Sequence, residues 1–208
     1  KVEEIVSKIG DFSESDQTAI RLCLGIIIGG QILDLQRFSS VESSILSLEG
    51  DEELDDYAYR VAGSVGEFWT RMSLDHLFSL KEENKESELF EKSVRFGKAL
   101  QMINILRDIP ADLSLGRCYI PSRRLAEHGI TPKDLLEPSN MDVFRPLYNE
   151  YLDLTDKYLT SAIQYIEMLP HSQFRLRGTC MLPVIIGKRT VSILREKNIL
   201  DPSNRIKI

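Results

Sequence analysis

The sequence is poor in cysteine. Its 208 residues include three, Cys23, Cys118 and Cys180, which lie far apart and show no paired metal-ligand spacing. An odd number of dispersed cysteines argues against a disulfide framework and against a zinc site. We therefore expect a reducing, cytoplasmic location.

Long apolar runs are also scarce. The most apolar stretch, Leu22 to Leu35, is interrupted by three glycines, Gln31 and Asp34. A membrane span needs about 18 or more consecutive apolar residues, and no signal peptide is visible at the N-terminus. The sequence therefore predicts a soluble protein whose membrane contact, if it has one, is peripheral.

Positive charge is not in excess. The chain has 26 Lys and Arg residues against 32 Asp and Glu residues, a formal net charge of −6. Binding to nucleic acid depends on Lys and Arg side chains that neutralise phosphates, so we expect no nucleic-acid partner. The sequence also lacks G-x-G-x-x-G, the fingerprint of Rossmann-type dinucleotide binding.

Helical periodicity is present along nearly the whole chain. Apolar residues recur with helical spacing, whereas two-residue alternation and hairpin signals are not convincing. We predict a single all-α domain over residues 1–208. Because the chain begins with Lys1 rather than Met, we expect it to be the later part of a longer protein. The predicted long helices are Asp16–Phe38, Asp51–Leu80, Glu88–Asp112, Met141–Leu169 and Gln173–Asn198.

The most informative segment is the end of the third predicted helix. At about 100° per residue, Asn104, Asp108 and Asp112 lie at about −60°, −20° and +20° from Gln101. The four polar side chains therefore share one face. Two carboxylates one turn apart repel each other unless a cation lies between them. Mg²⁺ suits such a pair because it takes hard oxygen ligands and completes its shell with water and phosphate oxygens.

A simpler interpretation of this face remains open. A D-x-x-x-D pair is also typical of an exposed polar stripe, with Arg107 and Arg117 as ion-pair partners. By the same helical angles Arg107 points away from the carboxylates, which favours a structural ion pair for that residue.

Pro110 complicates the geometry of this helix. It has no N–H to bond to the Leu106 carbonyl, and it disfavours helical backbone at Ile109. We therefore expect a kink between Asp108 and Asp112.

The full string from Gln101 to Pro121, QMINILRDIPADLSLGRCYIP, is much more specific than the aspartate pair. It resembles the second aspartate-rich motif of squalene/phytoene synthases, in which Asn and two Asp residues hold Mg²⁺ on a prenyl diphosphate. The resemblance implies three metal ligands, Asn104, Asp108 and Asp112. It also implies catalytic roles for both aspartates and Tyr119, and substrate-binding roles near the diphosphate for Gln101, Asn104, Arg117 and Tyr119.

A second stretch, YAYRVAGSVGEFW from Tyr57 to Trp69, resembles the Y-x-Y-x-V-A-G-x-V-G motif of the same family. Its continuation GEFWTRM is most similar to bacterial squalene synthase-like members. Helical angles place five side chains on one face, namely Tyr57, Val61, Ser64, Val65 and Phe68. The resemblance implies that Val61, Val65 and Phe68 line the isoprenoid channel and that Tyr57 faces the reacting carbons.

The glycines of this stretch have a second explanation. Gly63 and Gly66 lower helix propensity by about 1 kcal/mol each, so a close approach of other atoms must compensate. From the residues alone, a glycine-mediated contact between two helices explains them as well as a bound ligand does.

Weaker similarities extend the match over about residues 29–195. The segment Gly30 to Asp34, GQILD, resembles the family's G-M-x-M-D helix, and Leu182 to Gly187 resembles its C-terminal helix. The family's first aspartate-rich motif has no counterpart between Lys1 and Phe38. With one carboxylate pair only, a complete trinuclear magnesium site is not expected within this chain.

The resemblance implies an isoprenoid-synthase-type helical bundle around a central apolar cavity. The implied enzyme is a prenyltransferase, a farnesyl-diphosphate farnesyltransferase of the squalene or phytoene synthase type. It joins two farnesyl diphosphates head to head through a cyclopropyl diphosphate to a C30 hydrocarbon, squalene or dehydrosqualene. The expected cofactor is Mg²⁺, with NADPH as hydride donor if the product is squalene. Release of so apolar a product predicts peripheral membrane contact.

The alternative is a non-catalytic member of the same fold that acts as a binding or assembly factor. The absence of the first motif favours this alternative. The intact second motif opposes it, because a protein without catalysis has no need of these carboxylates.

Overall fold

Helices make up most of the described chain. The computed structural model describes residues 6–39, 45–80 and 82–204. Its α-helices are α1 (Glu14–Arg37), α2 (Asp51–Ala58), α3 (Ser64–His76), α4 (Glu83–Arg107), α5 (Ile109–Ser114), α6 (Ser122–Glu127), α7 (Met141–Met168) and α8 (Phe174–Glu196). Short 3₁₀ turns cover Lys8–Asp11, Pro132–Leu136, Pro138–Asn140 and Pro202–Asn204. The predicted all-α fold is confirmed.

The helix bounds differ from prediction mainly in the first half of the chain. The helices α1, α7 and α8 begin and end within a few residues of the predicted bounds. The helix α4 begins at Glu83 rather than Glu88, and it ends at Arg107 instead of continuing to Asp112. The second predicted helix ends at His76 and is divided into α2 and α3.

A π turn over Tyr59–Gly63 joins α2 to α3. The i→i+5 bonds of a π turn insert one extra residue into the helical ladder. One inserted residue rotates everything beyond it by about 100° relative to an uninterrupted α-helix. Side chains before and after the turn therefore do not share a face as a regular helix would predict.

The centre of the bundle is the contact between α4 and α7, which pack along much of their length. Both helices contribute fully buried apolar side chains to one continuous core, including Leu89 and Leu106 from α4 and Leu152 and Leu159 from α7. Burying an apolar side chain of this size stabilises a fold by about 1.5–3 kcal/mol. The functional residues at the end of α4 therefore project from a rigid element.

Glycine allows α4 to approach the π turn and α3 at backbone distance. A Cβ atom at Gly66 would lie 2.1 Å from the carbonyl oxygen of Ser93, and one at Gly97 would lie 2.1 Å from that of Ala62. Such distances leave no room for any side chain. The glycine-mediated helix contact, one of the two explanations of Gly66, is therefore present.

Two very short strands fix the segment that follows α5. Strand β1 (Leu46–Ser47) pairs in parallel with β2 (Arg117–Cys118), with Leu46 opposite Arg117. Gly116 turns the chain into β2 with a φ of 75°, a left-handed conformation that favours glycine. The sequence did not predict this pairing, which holds Arg117 and Tyr119 beside α1 and α2.

The helix α1 is apolar yet largely exposed. It packs on α3 and the π turn, but Leu22, Ile28 and Leu35 are more than half exposed. By length and composition alone it could cross a membrane, with a mean hydropathy of 1.6 over its best window. This corrects the expectation that no segment comes near that limit. Helices of soluble proteins pass the same test, so the property alone assigns no membrane role.

Candidate active site

Asp108 forms the junction between α4 and α5. Its backbone, with φ −99° and ψ 11°, ends one helix and precedes the next. Pro110 therefore falls in the first turn of α5, where backbone N–H groups lack partners within the helix and proline is well tolerated. The helix is interrupted as predicted, and the interruption lies at Asp108 itself.

Backbone hydrogen bonds cross this junction. The Asp108 N–H donates to the Asn104 carbonyl at 2.9 Å, and the Asp112 N–H donates to the Asp108 carbonyl at 3.0 Å. The three residues thus remain one turn apart in spite of the interruption. Gln101 lies on α4 one turn before Asn104. The predicted ladder of polar residues persists to Asp112.

Arg107 binds its neighbour Asp108 through two hydrogen bonds. Its Nε donates to Oδ1 at 2.9 Å and its Nη2 donates to Oδ2 at 2.6 Å. The predicted ion pair is present, but the expectation that Arg107 points away from the carboxylates is wrong. Because Asp108 has left the helical backbone conformation, the angle of 100° per residue does not apply to it. Each carboxylate oxygen still has a lone pair free for a further ligand.

Tyr119 and Tyr57 form a stacked pair, although they come from different parts of the chain. Their ring centroids are 4.6 Å apart with an interplanar angle of 23°. Phe38 contacts Tyr119 edge-on, with centroids 5.3 Å apart. Burial raises the pKa of both phenols, so both hydroxyls are neutral near pH 7. The resemblance had implied a separate role for each of these residues, and the structure places them in contact.

Asp34 lies at the centre of this group, and sequence reasoning did not assign it a role. Its Oδ2 accepts a hydrogen bond from the Tyr119 hydroxyl at 3.0 Å and one from Arg117 Nη1 at 3.4 Å. Its Oδ1 is buried and has no hydrogen-bond partner among the described residues. Burial raises the pKa of Asp34, while Tyr119 and Arg117 lower it. The available signal was an acid that ends the GQILD segment in an otherwise apolar helix, since a buried carboxylate requires compensation.

Asp112 lies in a crowded negative environment. Burial raises its pKa to about 6, and the charges of Asp108 and Asp34 add to the effect, while Arg117 opposes it. Asp112 thus interacts electrostatically with Asp108, Asp34 and Arg117. We call these four residues, together with Tyr57 and Tyr119, the polar cluster.

The polar cluster fits a magnesium ion by its chemistry. It offers carboxylate oxygens, the hard ligands that Mg²⁺ prefers, and the Oδ1 of Asp34 is buried without a partner. Within the described ranges no three His, Cys, Asp or Glu residues lie close enough to hold one ion by themselves. The resemblance predicts Asp108, Asp112 and the Asn104 amide as the ligands, and these residues could hold Mg²⁺ together with diphosphate oxygens and water.

An apolar cavity of about 400 Å³ lies where five elements meet. Val61 in the π turn and Val65 on α3 both line it, and the resemblance implies that these two residues line the isoprenoid channel. Its other lining residues are Ala62, Gly66, Trp69, Ser93, Phe96, Gly97, Leu100, Tyr165, Thr179, Cys180 and Pro183. Almost all of the exposed surface in this cavity is apolar, which suits a hydrocarbon chain.

Phe68 does not line this cavity, so its prediction as part of the same wall is wrong. It lines a different cavity of about 750 Å³, together with Ser64, Glu67 and Arg71. Phe68 lies about 60° around α3 from Val65. The π turn also breaks the regular register that had placed Val61 and Phe68 on one face. The helix therefore presents its two flanks to two separate cavities.

Two helical segments run from the apolar cavity towards the polar cluster. One is α4, and the other is formed by α2, the π turn and α3. On α4, Leu100 lines the cavity, and Asp108 follows about 12 Å further along at 1.5 Å per residue. On the other segment, Tyr57 on α2 precedes Val61 in the π turn by about one turn. The same two helical segments therefore carry both the wall of the apolar cavity and members of the polar cluster.

The sequence matches a known family over almost its entire length. The family model for squalene/phytoene synthase covers residues 4–207. This chain belongs to the squalene/phytoene synthase family. The family predicted from the two motifs is thereby confirmed.

Curated relatives in this family are longer than the chain. A bifunctional lycopene cyclase/phytoene synthase of Arthroderma gypseum is 28% identical over 186 residues, which cover 89% of this chain and 30% of that protein. A 15-cis-phytoene synthase of Enterobacter agglomerans is 30% identical over 122 residues, or 57% of this chain and 38% of the relative. The aligned parts are thus well under half the length of these two squalene/phytoene synthase relatives.

Solved structures show the same fold. Squalene synthase HpnC from Alicyclobacillus acidocaldarius matches with a TM-score of 0.68 and 21% identity, covering 88% of this chain and 64% of that one. A dehydrosqualene synthase in complex with a ligand matches with a TM-score of 0.68 and 18% identity, covering 89% and 59%. The bundle of this squalene/phytoene synthase family member is therefore the one predicted from the resemblance.

Proposed function

We propose that this protein catalyses the Mg²⁺-dependent, head-to-head condensation of two farnesyl diphosphates through a cyclopropyl diphosphate to a C30 hydrocarbon. The observation that carries the proposal is that α4 bears both the wall of the apolar cavity, at Leu100, and Asp108 of the polar cluster about two turns further along. A prenyl diphosphate has the same division into a hydrocarbon chain and a charged head. Family membership supports the reaction class.

The charged head is assigned to the end of α4 and to α5. Asp108 and Asp112, with the Asn104 amide, would hold Mg²⁺, which when bound neutralises charge on the departing diphosphate. Arg117 supplies a permanent positive charge nearby. Gln101 is one turn closer to the cavity and offers amide N–H groups to phosphate oxygens.

The stacked tyrosines serve the reacting carbons. The negative face of the Tyr57 ring can stabilise a passing carbocation. Tyr119 fixes the orientation of that ring by stacking on it. The neutral hydroxyls can donate or accept a hydrogen bond, and either can take part in moving a proton. Asp34 in turn orients Tyr119.

The apolar cavity protects the cation. Val61 and Val65 present hydrocarbon surface that excludes water, so a carbocation is not quenched before it rearranges. If the product is squalene, NADPH must supply a hydride, whereas dehydrosqualene forms by loss of a proton. We propose a cytoplasmic protein that touches a membrane peripherally to release its product.

The decisive experiment replaces both aspartates in the full-length protein. We expect D108A/D112A to abolish Mg²⁺-dependent conversion of labelled farnesyl diphosphate. The matched control is D153A/D156A, which removes two carboxylates from the surface of α7, where both pair with Arg195. This control should retain turnover.

Three outcomes decide between the proposal and its alternatives. Undiminished turnover by D108A/D112A would refute the proposal. A full-length wild-type protein that binds Mg²⁺ and pyrophosphate without any turnover would support the non-catalytic binding factor instead. A C40 product from geranylgeranyl diphosphate, with no C30 product from farnesyl diphosphate, would change the proposed substrate.

A further inference from the structure

The carbonyl of Leu106 lies in the last turn of α4, where carbonyl groups have no partner within the helix. The helix is interrupted at Asp108, and Pro110 in the following turn has no N–H to offer. Leu106 is fully buried. A buried carbonyl without a donor costs about 1–3 kcal/mol. The junction between Asp108 and Asp112 therefore needs a donor from elsewhere in the fold.

Tyr148 supplies this donor. Its hydroxyl donates to the Leu106 carbonyl oxygen at 3.1 Å, from a position 42 residues along the chain on α7. Tyr148 is itself fully buried. A hydrogen bond between two completely buried groups has no water to replace it, so its geometry is fixed by the surrounding core.

The ring of Tyr148 is held on two sides. Phe144 contacts it with centroids 5.5 Å apart, and the Arg145 guanidinium lies 5.8 Å from its centroid. Arg145 is fixed in turn, because its Nη2 donates to the Lys197 carbonyl at 2.7 Å at the end of α8. The ring is therefore held by residues of α7 and of the end of α8, in addition to its hydrogen bond to α4.

The hydroxyl also keeps its proton. Burial raises the pKa of Tyr148 above its ordinary value, so the phenol remains a donor near neutral pH. The hydrogen bond to Leu106 therefore does not change with pH near neutrality.

We propose that Tyr148 is a positioning residue that holds the α4–α5 junction, and thereby the spacing of Asp108 and Asp112, by donating to the Leu106 carbonyl at the end of α4. The inference rests on the proposed function, in which these aspartates hold Mg²⁺ on a diphosphate. Asp112 lies beyond the proline and Asp108 before it, so any rotation at the junction changes the distance between the two carboxylates. Tyr148 does not contact substrate in this role; it acts through the backbone.

The test compares Y148F with Y151F in the full-length protein. Tyr151 is a matched control because it is a buried tyrosine on the same helix, and its hydroxyl donates to Asp51 at 2.6 Å, outside the polar cluster. Y148F loses a buried hydrogen bond and Y151F a partly buried one. We expect Y148F to weaken Mg²⁺-dependent binding of pyrophosphate about 10-fold or more, the usual effect of losing a supporting hydrogen bond at a metal site. Y151F should change it less than about 2-fold.

A double variant keeps the test informative if Y148F alone is too unstable to purify. G178A on α8 adds a Cβ that meets nothing within 4 Å, and alanine favours the helix more than glycine does. Y148F/G178A should therefore fold more stably than Y148F and show the same loss of affinity.

Calorimetry of pyrophosphate binding and thermal unfolding give separable outcomes. Equal affinities of Y148F and Y151F, with equal losses of Tm, would overturn the inference while leaving the proposed function intact. Wild-type affinity in a folded Y148F/G178A variant would overturn it as well. Absence of pyrophosphate binding by the wild-type protein would overturn the proposed function and this inference with it.

Discussion

The Tyr119 hydroxyl donates a hydrogen bond to Asp34 Oδ2 at 3.0 Å, although the two residues are 85 positions apart in the chain. Arg117 contacts the same oxygen at 3.4 Å, and Tyr57 stacks on the ring of Tyr119. One carboxylate thus orients an arginine and, through Tyr119, the stacked aromatic pair. The other oxygen of Asp34 is buried and lacks a partner within the described part of the chain.

This arrangement predicts that D34N lowers turnover about 10- to 100-fold, because the orienting charge beside Tyr119 and Arg117 is lost. Thermal stability should change little, since the substitution also removes a buried charge. The control is D16N, which alters an equally buried aspartate on the same helix whose partner is His76. Similar losses of turnover in both variants would contradict the proposed role of Asp34.

The raised pKa of Asp112 predicts a pH dependence of stability in the absence of metal. Its pKa in the folded state is about 6, above its ordinary value of 3.8. Between these values the folded protein holds a proton that the unfolded chain has released. The free energy of unfolding should therefore fall as pH rises from about 4 to 6, and the loss should persist above pH 6.

D112N should remove this loss. We expect the metal-free variant to be about 1 kcal/mol more stable at pH 7, less than the full shift implies because Asp112 is only half buried. Chemical denaturation at several pH values measures the effect, with the exposed D75N as control. Because metal binding needs the carboxylate, Mg²⁺ affinity of the wild type should fall as pH drops below about 6. A flat profile for both stability and affinity would rule out the raised pKa.

The two separate cavities predict different effects of filling each one. V61W places a large side chain in the apolar cavity and should raise the KM for farnesyl diphosphate about 10-fold or more while pyrophosphate affinity stays unchanged. F68W enlarges a side chain in the other cavity and should leave both quantities within about 2-fold of wild type. Steady-state kinetics and calorimetry separate the two parameters. A KM increase confined to F68W would show that the prenyl chain occupies the cavity lined by Phe68 instead.

The contact between α3 and α4 predicts a strong dependence on glycine. G66A should destabilise the fold by about 3 kcal/mol or more, because the new Cβ meets the Ser93 backbone. G178A on α8 is the matched control, since a Cβ there meets nothing within 4 Å. Alanine has the higher helix propensity, so G178A should stabilise by up to about 1 kcal/mol. Equal Tm values for the two variants would contradict the close approach of α3 and α4.

Much of the candidate active site was predictable from local sequence. The positions of Asn104, Asp108 and Asp112 follow from their spacing, and the backbone ladder across the junction preserves it. The ion pair of Arg107 with Asp108 could not be placed by helical angles, because the backbone of Asp108 is no longer helical. Phe68 was misplaced because the preceding π turn changes the register, and hydrophobic periodicity does not reveal such an insertion.

The sequence by itself determined the helical class, the family and the two motifs, because apolar spacing and short-range residue patterns are local properties that survive without knowledge of the fold. Only the tertiary structure decided which distant groups meet. Asp34 reaches Tyr119, and Tyr148 reaches the Leu106 carbonyl, since buried polar groups must find partners wherever packing brings a donor and an acceptor together. Those partners lie 85 and 42 residues away, beyond any periodic pattern.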